Sequence, residues 1–206
     1  MTIRGILFDK DGTLIPDVPY NVETNKIELN EGVIEGLQML QSNAYLLVVV
    51  SNQSGIAHGY FTQEQLENAM STIDQKCQHF GIYLDGFYYC PHHPEGKVEG
   101  YNGDCDCRKP RPGLIVRAAR DLNIDLANSW MIGDILNDVE AGNRAGCKSI
   151  LINNGNETEW VPGSNRVPEY FAKDLADAAK FILASNKVNS DGQKLERKKE
   201  YSMHKA

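Results

Sequence analysis

Short, strongly apolar runs alternate with amphipathic helical patterns along this chain, which limits it to an α/β architecture on a mainly parallel sheet. GILFD at 5–9 is an apolar run cut off by polar residues, as expected of a strand buried on both faces. Residues 31–43 place Val33, Ile34, Leu37 and Leu40 on one helical face. YLLVVV at 45–50 is a β-branched run that stops at Ser51-Asn52. Thr62 and Gln65 spell a capping box opening a helix to about His79. GFYYC at 86–90 predicts a short strand, and Pro112 suits the first turn of a helix running to about Leu122. SWMIGD at 129–134 predicts a further strand, a helix follows near 137–145, and KSILIN at 148–153 closes the sheet.

Residues 1–184 read as one three-layer, Rossmann-like domain, without an insertion large enough for a separate cap. A compact monomer is expected. From Ser185 to Ala206 the chain turns polar and basic, and a disordered tail is expected there. The opening MTIRGILFDKDGT meets charge too soon for a secretory signal or membrane span, and no other stretch reaches spanning length, so a cytoplasmic protein without a membrane partner is expected. The net charge of −7 disfavours a nucleic-acid partner, yet a few local cations suffice for a small phosphorylated ligand.

Chemistry gathers at the ends of the strands. Asp9 and Asp11 follow the first one, and in extended backbone residues two apart point the same way. Gly12 lets the chain turn away sharply. Ser51-Asn52 brings hydroxyl and amide donors, Lys109 brings a cation, and Gly133-Asp134 brings a third carboxylate with Asp138 four residues on. The set suits phosphoryl transfer, in which a metal and a lysine offset the repulsion between an attacking carboxylate and a phosphate dianion. Asp9 is the expected nucleophile and Asp11 the expected acid and base. The expected magnesium ligands are Asp9, the backbone carbonyl of Asp11, and Asp134.

The stretch from 88 to 112 lacks periodicity and is long for a loop inside a compact domain. It holds Cys90-x-His92 and Cys105-x-Cys107, four nitrogen or sulfur donors that suit a closed structural zinc. Such an ion would pin the loop and hold Arg108 and Lys109, which follow Cys107 directly. His93 is the rival ligand to His92. Cys77 and Cys147 stand apart as buried thiols.

FDKDGT, VVVSNQSG, RKP and GDILND, in this order, resemble the four motifs of the haloacid-dehalogenase-like (HAD) phosphatases, over about Ile6 to Leu151. SNQSGIAHGYF, YYCPHHPEG and CDCRKPRPG are similar to the bacterial D-glycero-D-manno-heptose 1,7-bisphosphate phosphatases, whose cousins act on histidinol phosphate. The resemblance implies that Ser51 and Lys109 steady the phosphoryl group. It also implies that Asp17, Tyr20, Asn52, Gln53 and Arg108 touch substrate. The chain departs from the family's common pattern at Pro19, where glycine is frequent, at Ile135, where a basic residue is frequent, and at Ser51 in place of threonine. The expected function is magnesium-dependent hydrolysis of a small sugar bisphosphate, with removal of the heptose 7-phosphate as the leading case. Histidinol-phosphate hydrolysis, a polynucleotide phosphatase and a zinc-stabilised binding module without catalysis are the other readings.

Overall fold

A computed structural model of the chain describes residues 3–186. Six strands form one sheet: β1 (Arg4–Phe8), β2 (Tyr45–Asn52), β3 (Gly86–Cys90), β4 (Trp130–Gly133), β5 (Lys148–Ile152) and β6 (Tyr170–Ala172). They lie in the order β3-β2-β1-β4-β5-β6, and all five neighbouring pairs are parallel. The chain builds outward from β1 to β3, then returns to the other side of β1 with β4. The carboxyl ends of β1 and β4 therefore flank the point where the winding reverses, which is where open sheets of this type form a crevice.

β1, β2, β4 and β5 bury both faces, which explains their unbroken apolar runs, whereas β3 and β6 at the two edges are only partly covered. Ile6, Phe8, Leu47 and Val49 pack on one side with α1 (Val33–Ser42), α3 (Gln63–Gln78) and the helical residues 175–186. Leu7, Val48, Val50 and Met131 face the other side, against α4 (Gly113–Leu122) and α5 (Leu136–Ala145). The capping box at Thr62 is present, with the Gln65 amide N–H donating to Thr62 Oγ1 at 3.2 Å and the Thr62 amide N–H donating to Gln65 Oε1 at 2.8 Å.

Three features correct the sequence expectation. The sheet does not close at β5, because β6 adds a three-residue edge strand and residues 175–186 add a helix. A four-residue helix, α2 (Gly55–His58), interrupts the connection after β2. Pro112 is the residue before α4 rather than within its first turn. Of the expected tail, 187–206 lies outside the described residues. Among the described residues, no helix is long and apolar enough to cross a membrane.

Candidate active site

Asp9 lies one residue past β1, where its amide N–H extends the sheet ladder to the Ile132 carbonyl of β4 at 3.0 Å. Its Oδ1 accepts the Lys10 amide N–H at 2.7 Å and sits 2.9 Å from Lys109 Nζ. The Lys109 ammonium also reaches the Val50 carbonyl at 2.9 Å and Asp138 Oδ1 at 2.6 Å, so its three donors meet three acceptors. Asp134 follows β4. Its Oδ1 accepts from Thr13 Oγ1 at 3.3 Å and its Oδ2 from Asn156 Nδ2 at 2.8 Å. Two glycines make room for this arrangement. A β-carbon on Gly12, whose φ is +74°, would strike the Asp134 carboxylate, and one on Gly133 would strike that of Asp138.

Three buried carboxylates, Asp9, Asp134 and Asp138, thus share one ammonium, and one oxygen of each lies within 4.8 Å of the others. The crowding shows in the protonation of Asp134 and Asp138. Burial, then the charges of Asp138 and Asp9, push Asp134 up to about 8. Burial pushes Asp138 up to about 6 against the pull of Lys109. Burial opposes the charge of Lys109, but Asp138 and Asp9 outweigh it and hold the ammonium above its ordinary range. A hard divalent cation on these all-oxygen donors would relieve the surplus, so the residues fit magnesium. The Asp11 side chain stands outside this cluster, in contact with Lys10 Nζ at 3.0 Å and Gln53 Nε2 at 2.9 Å.

The cluster opens into a cleft of about 330 Å³. Asp9, Asp11, Asp17, Tyr20, Asn52, Gln53, Arg108, Lys109 and Asp134 line it, and so does Ile135. Tyr20 is held at a positive φ of 58°, with its ring edge-on to Tyr60 at 4.6 Å. Ser51 is brought near but fully buried, its Oγ accepting from Gln53 Nε2 at 2.9 Å. Asn52 lines the cleft and also has a partner inside the protein. Its Nδ2 donates to the Lys109 carbonyl at 3.1 Å and its Oδ1 accepts the Lys109 amide N–H at 3.0 Å, so it grips the lysine's backbone. Sequence reading missed the buried Lys10 and the buttress Asn156, and it noted Asp138 only by its spacing.

Next to the cleft stands a second cluster, of Cys90, His92, Cys105 and Cys107. The sulfurs of Cys90, Cys105 and Cys107 lie 3.1–3.4 Å apart, and His92 Nδ1 is 3.3 Å from Cys107 Sγ and 3.7 Å from Cys90 Sγ. Hydrogen bonds from Cys90, Cys105 and His92 hold Cys107 toward the thiolate. Four converging soft donors with one thiol already disposed to ionise fit a tetrahedral zinc. His93 is turned away, its ring 4.7 Å from that of His58. The cluster is tied to the cleft by two contacts, Gln53 N–H to the Cys90 carbonyl at 2.7 Å and Arg108 to the His92 carbonyl at 3.4 Å, and Asn52 grips Lys109 two residues after Cys107.

The HAD-hydrolase-like family matches residues 106–178. The D-glycero-β-D-manno-heptose-1,7-bisphosphate 7-phosphatase of Pasteurella multocida (strain Pm70) is 42% identical over 180 residues, covering 87% of this chain and 96% of the relative. The enzyme of that name from Escherichia coli (strain K12) is 38% identical over 187 residues, 90% of this chain and 97% of its own. Among solved structures, a D,D-heptose 1,7-bisphosphate phosphatase from B. bronchiseptica, complexed with magnesium and phosphate, superposes with a TM-score of 0.73 at 28% identity. It covers 89% of this chain and 99% of that one. A HAD-like phosphatase from Mesorhizobium loti gives 0.77 at 28% identity, over 88% of this chain and 86% of that one.

Proposed function

The chain belongs to the HAD-like phosphatases, in the family of the bacterial heptose 1,7-bisphosphate 7-phosphatases, and on that premise we propose that it removes the 7-phosphate of D-glycero-D-manno-heptose 1,7-bisphosphate with Asp9 as nucleophile. The observation that carries this reading is the Asp9 carboxylate at the mouth of the sheet. Its Oδ1 is engaged by Lys109 and the Lys10 amide, while Oδ2 has no hydrogen-bond partner among the described residues.

Asp9 Oδ2 forms a bond to phosphorus as the bond from phosphorus to the sugar oxygen breaks. Asp11 gives its proton to the departing alkoxide. Lys109 neutralises charge on the reacting oxygens and holds the Asp9 carboxylate in place. Asp11 then takes a proton from the water that attacks phosphorus, which releases inorganic phosphate and restores Asp9. Asp9, Asp134 and the Asp11 carbonyl would hold magnesium, which when bound adds divalent charge against the phosphoryl oxygens. Asp138 supports this site by fixing Lys109. Arg108, Asp17 and Tyr20 stand where the sugar would enter, and Ile135 places an apolar wall in the same cleft.

Cys90, His92, Cys105 and Cys107 would hold a structural zinc that keeps Arg108 and Lys109 in place. Clustered thiols persist in a reducing compartment, which supports action in the cytoplasm. We take the working unit to be a monomer. The names of the relatives favour the heptose ester over histidinol phosphate.

The test is a panel of esters assayed with and without magnesium: the two heptose bisphosphate anomers, histidinol phosphate and fructose 1,6-bisphosphate. A heptose bisphosphate should give the highest kcat/KM and release the 7-phosphate. Preference for histidinol phosphate would overturn the substrate assignment.

A further inference from the structure

Lys10 is among the largest fully buried side chains of the protein, although it stands between two aspartates in a motif whose function does not use it. Burying an ammonium is costly unless it is paired. Its Nζ is 3.0 Å from Asp11 Oδ1. Its backbone is fixed at both ends: the amide N–H donates to Asp9 Oδ1 at 2.7 Å, and the carbonyl accepts from Leu14 and Ile15 at 2.9 and 3.1 Å. The ammonium is therefore delivered to Asp11 from a rigid base. The other Asp11 oxygen, Oδ2, accepts from Gln53 Nε2 at 2.9 Å. Gln53 is also anchored, through its amide N–H to the Cys90 carbonyl at 2.7 Å, and is almost fully buried.

We propose that Lys10 and Gln53 are positioning residues that clamp the Asp11 carboxyl group by its two oxygens and aim it at the leaving oxygen of the ester. The clamp holds one rotamer and still leaves a lone pair on each oxygen for the catalytic proton. The same Gln53 nitrogen donates to Ser51 Oγ, which frees the serine's own proton for another acceptor. The inference rests on the acid role proposed above for Asp11. It assigns to Gln53 a task inside the protein in place of direct substrate contact.

A pair of esters matched in size separates this from a structural or phosphate-binding role. In 4-nitrophenyl phosphate the phenolate leaves without a proton, whereas 4-nitrobenzyl phosphate must release an alkoxide that needs one. The readout is kcat/KM, which reports the steps up to loss of the alcohol. Lys10→Met and Gln53→Leu should each lower the benzyl value by about tenfold or more relative to the phenyl value. Lys10→Arg should restore most of the loss, and inhibition by inorganic phosphate should change little. A parallel fall on both esters, or weakened phosphate inhibition, overturns the clamp. Asp11→Asn is the control. If it does not discriminate between the esters, the acid role itself falls. If it does and neither clamp variant follows it, only the clamp falls. Should Lys10→Met fail to fold, Gln53→Leu carries the same prediction.

Discussion

The two polar clusters meet at Cys107-Arg108-Lys109 and are built in opposite ways. The oxygen cluster draws Asp9, Lys109, Asp134 and Asp138 from distant parts of the chain and opens into a cleft. The sulfur cluster draws four donors from a single stretch, 90–107, and its donors close on one another. In the first, the sheet brings together carboxylates that repel, so the fold holds a surplus of negative charge that a metal cation can use. In the second, the loop has little apolar periodicity, and the donors supply the order that packing does not. Placement by a sheet suits chemistry, because the framework stays rigid when the ligand leaves. Placement by donor convergence suits a clip.

The sharpest separation should come from parallel substitutions. Asp9→Asn is expected to abolish turnover, by about a thousandfold or more, because no other carboxylate can take the phosphoryl group. Zinc content and thermal stability should stay near those of the native protein. Cys107→Ser should do the reverse: zinc is lost, the melting temperature falls by about 5 °C or more, and activity falls by about tenfold through a loosened Lys109. Metal analysis, thermal unfolding and steady-state kinetics on both variants check this. An active Asp9→Asn protein would remove the nucleophile, and a stable, fully active Cys107→Ser protein would remove the clip.

How much of this could be read from the chain differs between the clusters for the same reason. Asp9, Asp11, Lys109 and Asp134 follow strands or precede a helix in recognisable order, and the sulfur donors crowd one stretch, so both sets were visible in sequence. Lys10 was not, since a lysine between two aspartates looks solvated, and only the fold shows it buried. The family resemblance implies a substrate contact for Asn52, and Asn52 does line the cleft. Its pairing with the Lys109 backbone depends on how β2 lies against the loop after Cys107. β6 escaped notice because YFA is short, with Phe171 exposed. The helix at 175–186 buries Ala178 and Ala179 beside Leu175 and Ile182, and alanines give a weak apolar signal.

Asn156 tests how far the oxygen cluster depends on its surroundings. Its Nδ2 donates to Asp134 Oδ2, and Asn154 Nδ2 donates to the Gly12 carbonyl at 2.8 Å, so one loop after β5 steadies both the carboxylate and the turn after Asp9. Asn156→Ala should weaken magnesium activation by about tenfold, the usual effect of removing a partner that orients a ligand. Zinc content should not change. A magnesium titration of activity reads the effect, and an unaltered half-saturation point would show that Asp134 needs no buttress.

The smallest effect, and the one that contrasts the clusters most directly, is the response to pH. Asp134 and Asp138, pushed up to about 8 and about 6 when the fold is complete, titrate near 3.8 when it is lost. Between those values the folded protein holds more protons than the unfolded chain, so its stability must fall as pH rises through that window. The sulfur cluster slopes the other way, because protons compete with metal for thiolates and its hold strengthens as pH rises. Magnesium-free protein that retains zinc should therefore lose a few degrees of melting temperature between about pH 6 and about pH 8. Added magnesium should recover most of that loss at the upper end, since the cation replaces the protons. Asp134→Asn should flatten the fall and leave the opposing slope from the thiolates exposed. If the melting temperature of the magnesium-free native protein rises with pH just as that of Asp134→Asn does, the buried carboxylates carry no surplus charge, and the physical contrast between the clusters is lost.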